Sequence, residues 1–251
     1  MIWERVVPFP TLYPRPATLY PVVSRSKPRR YPIPMVLPLI ALAMFAPKLV
    51  TLVPKETVWV YANASTPGDG TFLRAWGVEG KSCPPDGEDA GQFSFSYLKW
   101  DLSELPTNAK IVSAKLLLNN TPEPGYTADV AKKCPIEVRP LIGDFDAKKW
   151  TFDMSAKNHP DSDEKAVFGT GFPATIPSDG PVPVTVNLMT GPNSFLKAIQ
   201  IAAGSTKHTL NLAITAKLDP STDGRSSIYK FFGQNDPKEF LRPQLVLTIE
   251  E

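Results

Sequence analysis

The chain has 251 residues, 42% of them hydrophobic, which suffices for one sizeable core and for one domain or two small ones. Its 28 prolines against 15 glycines argue against a helical bundle, because proline lacks a backbone donor and fixes φ, and the composition also excludes collagen, simple disorder and a polytopic membrane protein. Two histidines and two cysteines are too few for a His-rich metal site, a zinc ribbon or a multi-disulfide scaffold.

Residues 1–53 read as an extended, proline-rich arm. They carry +6 of a whole-chain charge of +2, so residues 54–251 carry −4. Prolines at 8, 10, 14, 16, 21, 28, 32, 34, 38 and 47 leave no room for a long helix or a paired central strand before Val36, and the default is extended or polyproline II chain. Thr11-Leu12-Tyr13-Pro14 recurs as Thr18-Leu19-Tyr20-Pro21. Free spacers are Gly/Ser-rich or charged, whereas Trp3, Phe9, Leu12, Tyr13, Leu19 and Tyr20 need a surface to cover them. The arm is therefore expected to lie on another protein. Arg29 and Arg30 end its one basic cluster, which reads as a solvated turn or as a contact for phosphate or an acidic protein. The dense basic and aromatic pattern of a nucleic-acid surface is missing, so no nucleic-acid partner is expected.

Residues 35–53 have a second reading as a secretory leader, because an apolar run follows Lys27, Arg29 and Arg30, and Ala41-Leu42-Ala43 has the small-residue spacing of a cleavage site. Pro38, Pro47 and Lys48 interrupt the 20 or so apolar residues that a membrane span requires, so a membrane partner is not expected. A retained assembly arm is the preferred reading and a leader the alternative.

From Thr57 onward, short runs of β-branched and aromatic residues alternate with Gly/Pro/Asn/Asp clusters. Nine strands are predicted, at 57–62, 71–76, 92–100, 110–119, 136–141, 182–188, 207–216, 227–233 and 244–249. The one predicted helix, 193–203, has Asn193 or Ser194 to cap it, Phe195, Ile199 and Ala202 on one stripe, and Gly204 to stop it. The expected fold is all-β: an antiparallel jelly-roll β-sandwich over 54–251 with one short helix and an extended N-terminal arm. Alternation in Phe93-Ser94-Phe95-Ser96-Tyr97 and in Leu210-Asn211-Leu212 predicts one buried and one wet face, with Leu98 in the core and Lys99 and Lys115 in solvent.

Ser96-Tyr97-Leu98-Lys99-Trp100-Asp101-Leu102-Ser103-Glu104-Leu105-Pro106, followed by Ala109-Lys110-Ile111-Val112-Ser113-Ala114-Lys115-Leu116, resembles the core of DNRLRE-type domains. Arg242-Pro243-Gln244-Leu245-Val246-Leu247-Thr248-Ile249 resembles their closing strand. The resemblance spans about residues 54–250. It implies a jelly-roll sandwich of the kind found in extracellular, wall-associated and glycan-binding proteins, with no catalytic residues to carry over.

No nucleophile elbow accompanies His159 or His208, so the chain is expected to be non-enzymatic. No cofactor is expected, calcium being the one candidate, at Asp161 and Asp163 in a loop that lacks the glycine and distal glutamate of a calcium site. Cys83 and Cys134, 51 positions apart and each beside a proline, are consistent with a disulfide or with two thiols. Asp101 is expected to cap the bend that follows it.

The preferred functional expectation is a structural protein on a virion surface, as a phage capsid decoration, minor capsid or neck or fibre-attachment protein. Its partners would be structural proteins of the same assembly, including further copies of itself, and also surface glycans. The alternative is an extracellular or cell-surface carbohydrate-binding module whose Trp59, Trp76 or Trp150 stacks on sugar rings.

Overall fold

The computed structural model describes residues 47–61, 69–83, 93–106, 109–177 and 179–250. These form an all-β sandwich of eleven strands in two antiparallel sheets. The first contains β1 (Lys48–Leu52), β3 (Phe72–Ala75), β5 (Lys110–Asn120), β8 (Val182–Asn187), β10 (Tyr229–Phe232) and β11 (Gln244–Glu250). Its order is β1-β11-β5-β10-β3, with β8 paired to β5. The second runs β2-β4-β9-β6-β7, from β2 (Glu56–Tyr61), β4 (Ser94–Asp101), β9 (Thr209–Ala216), β6 (Ile136–Pro140) and β7 (Gly169–Gly171).

All nine predicted strands form, with their ends shifted by a residue or two. Two more accompany them. β1 lies before the expected boundary at residue 54 and pairs through five residues with β11, Lys48 opposite Ile249 and Leu52 opposite Leu245. The sandwich therefore starts at Lys48. Register puts Val50 and Leu52 on the inner face, and Leu52 is buried in the core. The remaining arm residues, with Trp3, Phe9, Leu12, Tyr13, Leu19, Tyr20, Arg29 and Arg30, lie outside the described residues.

Period-2 alternation builds the core between the sheets. Leu98 and Trp100 of β4, Leu210, Leu212 and Ile214 of β9, Leu116 and Leu118 of β5, and Leu245, Leu247 and Ile249 of β11 all point into it. Helix α3 (Phe195–Gly204) forms within two residues of its predicted span, with Gly204 as its last residue rather than its stop. The Ser194 hydroxyl accepts from Lys197 N at 3.2 Å, and Phe195 and Ile199 are buried. Three shorter helices join it rather than the single one expected: α1 (Ala128–Lys133), α2 (Phe152–Lys157) and α4 (Pro220–Asp223). Thr127, Thr151 and Asp219 cap them. Asp101 Oδ1 accepts from Ser103 N at 2.9 Å, organising the expected bend.

The outer face of the second sheet is covered rather than wet. The segment from Leu141 through α2 packs across it, so that Val58, Val60, Phe93, Phe95, Tyr97, Leu141, Phe145, Trp150 and Ala213 form a second apolar cluster. Tyr97 and Ser155 of α2 share a 2.5 Å hydrogen bond through this layer. β4 is consequently buried on both faces. Lys115 is exposed as expected, but Lys99 is 7% exposed.

Candidate functional site

The outer face of the second sheet grades from apolar at β2 and β4 to charged at β6. Glu137 and Arg139, two apart on β6, share that face with Ala213 and Thr215 of β9, their register partners being Glu137↔Thr215 and Arg139↔Ala213. Glu137 Oε2 accepts from Arg139 Nη2 at 2.6 Å and from Ser82 Oγ at 2.5 Å, while Lys217 Nζ lies 3.4 Å from Oε1. Arg139 Nη1 donates to the carbonyls of Asp161 and Asp163 at 2.5 and 2.8 Å. Burial opposes the charge on Lys217, but Glu137 and Glu164 outweigh it and raise the ammonium's pKa. Beside this network lies a cleft of about 420 Å³, lined by Glu137, Glu164, Val167, Thr170, Lys217 and the Thr190–Gly191–Pro192 turn.

A second charged group surrounds Lys99. Its Nζ is 3.0 Å from both Glu56 Oε1 and Asp144 Oδ1, donates to the Phe145 carbonyl, and stands over the Phe145 ring. For Asp144, partial burial opposes ionisation, yet hydrogen bonds from Lys99 and Lys207 hold its pKa below the usual carboxylate value. This cluster ties the covering segment to β2 and β4.

Of the tryptophans expected to stack on sugars, Trp150 is buried and Trp59 and Trp76 are half-buried. Trp150 is 3% exposed and packs edge-on against Tyr97, out of a sugar's reach. Trp59 and Trp76 are half-buried where β2 and β3, edge strands of the two sheets, lie side by side. The Trp59 ring stacks on Tyr61 with centroids 5.5 Å apart, Tyr61 tilts against Trp76, and the Arg74 guanidinium sits 4.5 Å from the Trp59 centroid. These rings close the flank of the sandwich against one another.

The calcium expectation meets a resident cation. The Asp161 and Asp163 carbonyls face the Arg139 guanidinium, and their carboxylates accept from the backbone N–H groups of Asp163 and Lys165, capping the short turn at Glu164–Ala166. Among the described residues no cluster of three or more acidic, histidine or cysteine side chains could hold a metal. Cys83 and Cys134 are free thiols in different clusters rather than a disulfide. The Cys83 thiol donates to the Pro160 carbonyl at 3.1 Å, and burial pushes its pKa up to about 12. His159 and His208 bond through Nδ1 to the carbonyls of Pro160 and Ala203.

Sequence reasoning missed Glu137, Arg139, Lys217 and Thr170. The alternation Ile136-Glu137-Val138-Arg139 reads as a strand with one wet face, and the signal lost was that both charges recur on the same side of one strand. No family model matches the chain, and no curated protein matches it.

Proposed function

We propose that this chain is a non-enzymatic structural protein displayed on a large assembly, a virion being the reading that best fits its arm, and docked there through its N-terminal segment. The observation that supports this is β1. β1 begins at Lys48 and is bonded to β11 through five residues, so the N-terminal segment leads straight into the sheet. Ordering each arm residue costs about 1–2 kcal/mol of backbone entropy, which apolar contact with a partner must offset. Proline lowers that cost by restricting the unbound chain.

A second reading, a secreted or cell-surface module, is favoured by a different observation. The small residues Ala41 and Ala43 stand just upstream of Lys48, so removal of the chain through Ala43 would leave every strand of the described residues intact. The resemblance to DNRLRE-type domains points the same way.

The experiment replaces Leu12, Tyr13, Leu19 and Tyr20 with serine and measures incorporation into native particles by sedimentation and gel densitometry. At roughly 25 cal/mol per Å² of apolar surface, the four side chains together forfeit several kcal/mol of docking free energy. The variant should fold normally and be depleted from the particles. Wild-type incorporation would remove the arm from the docking mechanism.

A further inference from the structure

We propose that a groove between α3 and the start of β5 is a docking site for the apolar segment just before β1, Leu39 to Ala46 of the same chain, with Met44 and Phe45 seated in it. The inference does not rest on what the arm docks against, because Met44 and Phe45 precede β1 whether the residues before them are kept or removed.

The groove has a volume of about 400 Å³ and is lined by Leu105, Pro106, Ala109 and Ile111, at and before the start of β5, and by Ile199 and Ala203 of α3. It borders the main core. Leu105, Ile111 and Ile199 belong to that core, and Ala109 and Ala203 pack against it. Lys110 is the one charged residue among the described residues that line the groove, and its ammonium lies 2.8 Å from Glu250 Oε2. An occupant of this groove therefore meets aliphatic surface and a charge that already has its partner.

The chain enters the first sheet at the end where this groove lies. Lys48 is opposite Ile249, and Ile249 is opposite Ile111. Two strand spacings, about 10 Å, thus separate the start of β1 from a residue that lines the groove. Phe45 stands three residues before Lys48, and three residues of extended chain also span about 10 Å. The segment that precedes β1 is long enough to reach the groove without any movement of the sheet.

The chemistry of the segment matches. Leu39 to Ala46 holds no polar side chain, and Leu39, Ile40, Leu42, Met44 and Phe45 in water would form the kind of continuous apolar patch that protein surfaces rarely carry. Phenylalanine brings a large apolar area and methionine adapts to an irregular gap. A tether of a few residues holds such a segment at millimolar effective concentration, so the chain's own residues fill the groove ahead of those of a second copy in micromolar solution. Seated there, Met44 and Phe45 close this end of the core and fix the point from which the preceding residues leave the sandwich.

The test labels the isoleucine methyls and phenylalanine rings of the full chain and measures nuclear Overhauser contacts between them. The Phe45 ring should contact the methyls of Ile111 and Ile199, and the contacts should persist on dilution. In parallel, Ala203→Arg fills the groove from a half-buried position of α3, and chymotryptic cleavage after Phe45 should quicken roughly tenfold or more as the segment is displaced. The contact measurement needs no variant, so it decides the matter should A203R fail to fold. Absence of both contacts, or contacts found solely between differently labelled copies in a mixed sample, would overturn the proposal, as would unchanged cleavage in a folded A203R.

Discussion

Glu137 and Arg139 stand two residues apart on β6 and meet side chain to side chain, Oε2 to Nη2 at 2.6 Å, with 3% and 1% of those side chains exposed. Removing one member of such a pair strands the other's charge, at a typical cost of about 3–5 kcal/mol, whereas exchanging both for apolar groups costs far less. Glu137→Leu should therefore lose about 3–5 kcal/mol in urea denaturation. The double variant E137L/R139M should regain part of that, short of all because the carbonyls of Asp161 and Asp163 lose their donor. Purely additive losses would show that the two side chains are energetically separate.

Burial of β4 on both faces sets a second expectation. Leu98→Ala should cost about 2–5 kcal/mol from the inner core, and Tyr97→Ala about 3–5 kcal/mol from the outer one. A neutral Tyr97→Ala would mean that the covering layer does not pack on the sheet.

The strands were legible in the sequence where β-branched runs are bounded by Gly, Pro, Asn or Asp, as at β5 and β11. β1 was not, because Lys48-Leu49-Val50-Thr51-Leu52 follows an apolar stretch and lies between Pro47 and Pro54, so it reads as the arm's end. β7 is Gly169-Thr170-Gly171, which has no apolar signal. A Cβ at Gly169 would come within 2.2 Å of the Asn187 carbonyl oxygen, so that glycine is required by the approach of β8. α1 and α2 are six residues each, too short for a 3.6-residue stripe to declare itself. The candidate site was illegible for another reason. Alternation reports which residues share a face, but not whether a later segment will cover that face.

The position of β1 leads to a test of the domain boundary. A chain beginning at Met44 should match the full chain in denaturation midpoint. One beginning at Pro54 should lose stability, about 1.5–3 kcal/mol of it from Leu52 alone, and should associate through the exposed edge of β11. Equal midpoints would make β1 dispensable to the sandwich.

Lys99 and Asp144 predict a small acid-sensitive contribution. Because the folded-state pKa of Asp144 is held below its unfolded value, the stabilisation is present above the unfolded pKa and is lost as pH falls through the folded one. Solvent screening keeps it within the range of about 0–1 kcal/mol usual for exposed pairs. Asp144→Asn should flatten the stability profile below about pH 4 and slightly lower stability at neutral pH. A profile identical to wild type would remove this pair from the acid response.

Cys83, with its pKa near 12, should resist iodoacetamide at pH 8 until the chain unfolds, whereas half-buried Cys134 should label first. Peptide mass mapping reads the order, and prompt labelling of Cys83 would contradict its burial.

The display reading is tested most directly by peptide mapping of the native protein's N-terminal region. Retention of a peptide that contains both Thr-Leu-Tyr-Pro copies, residues 11–21, is the result predicted for an arm that docks the sandwich. A native chain that begins near Met44 would contradict it and establish the segment as a removed leader.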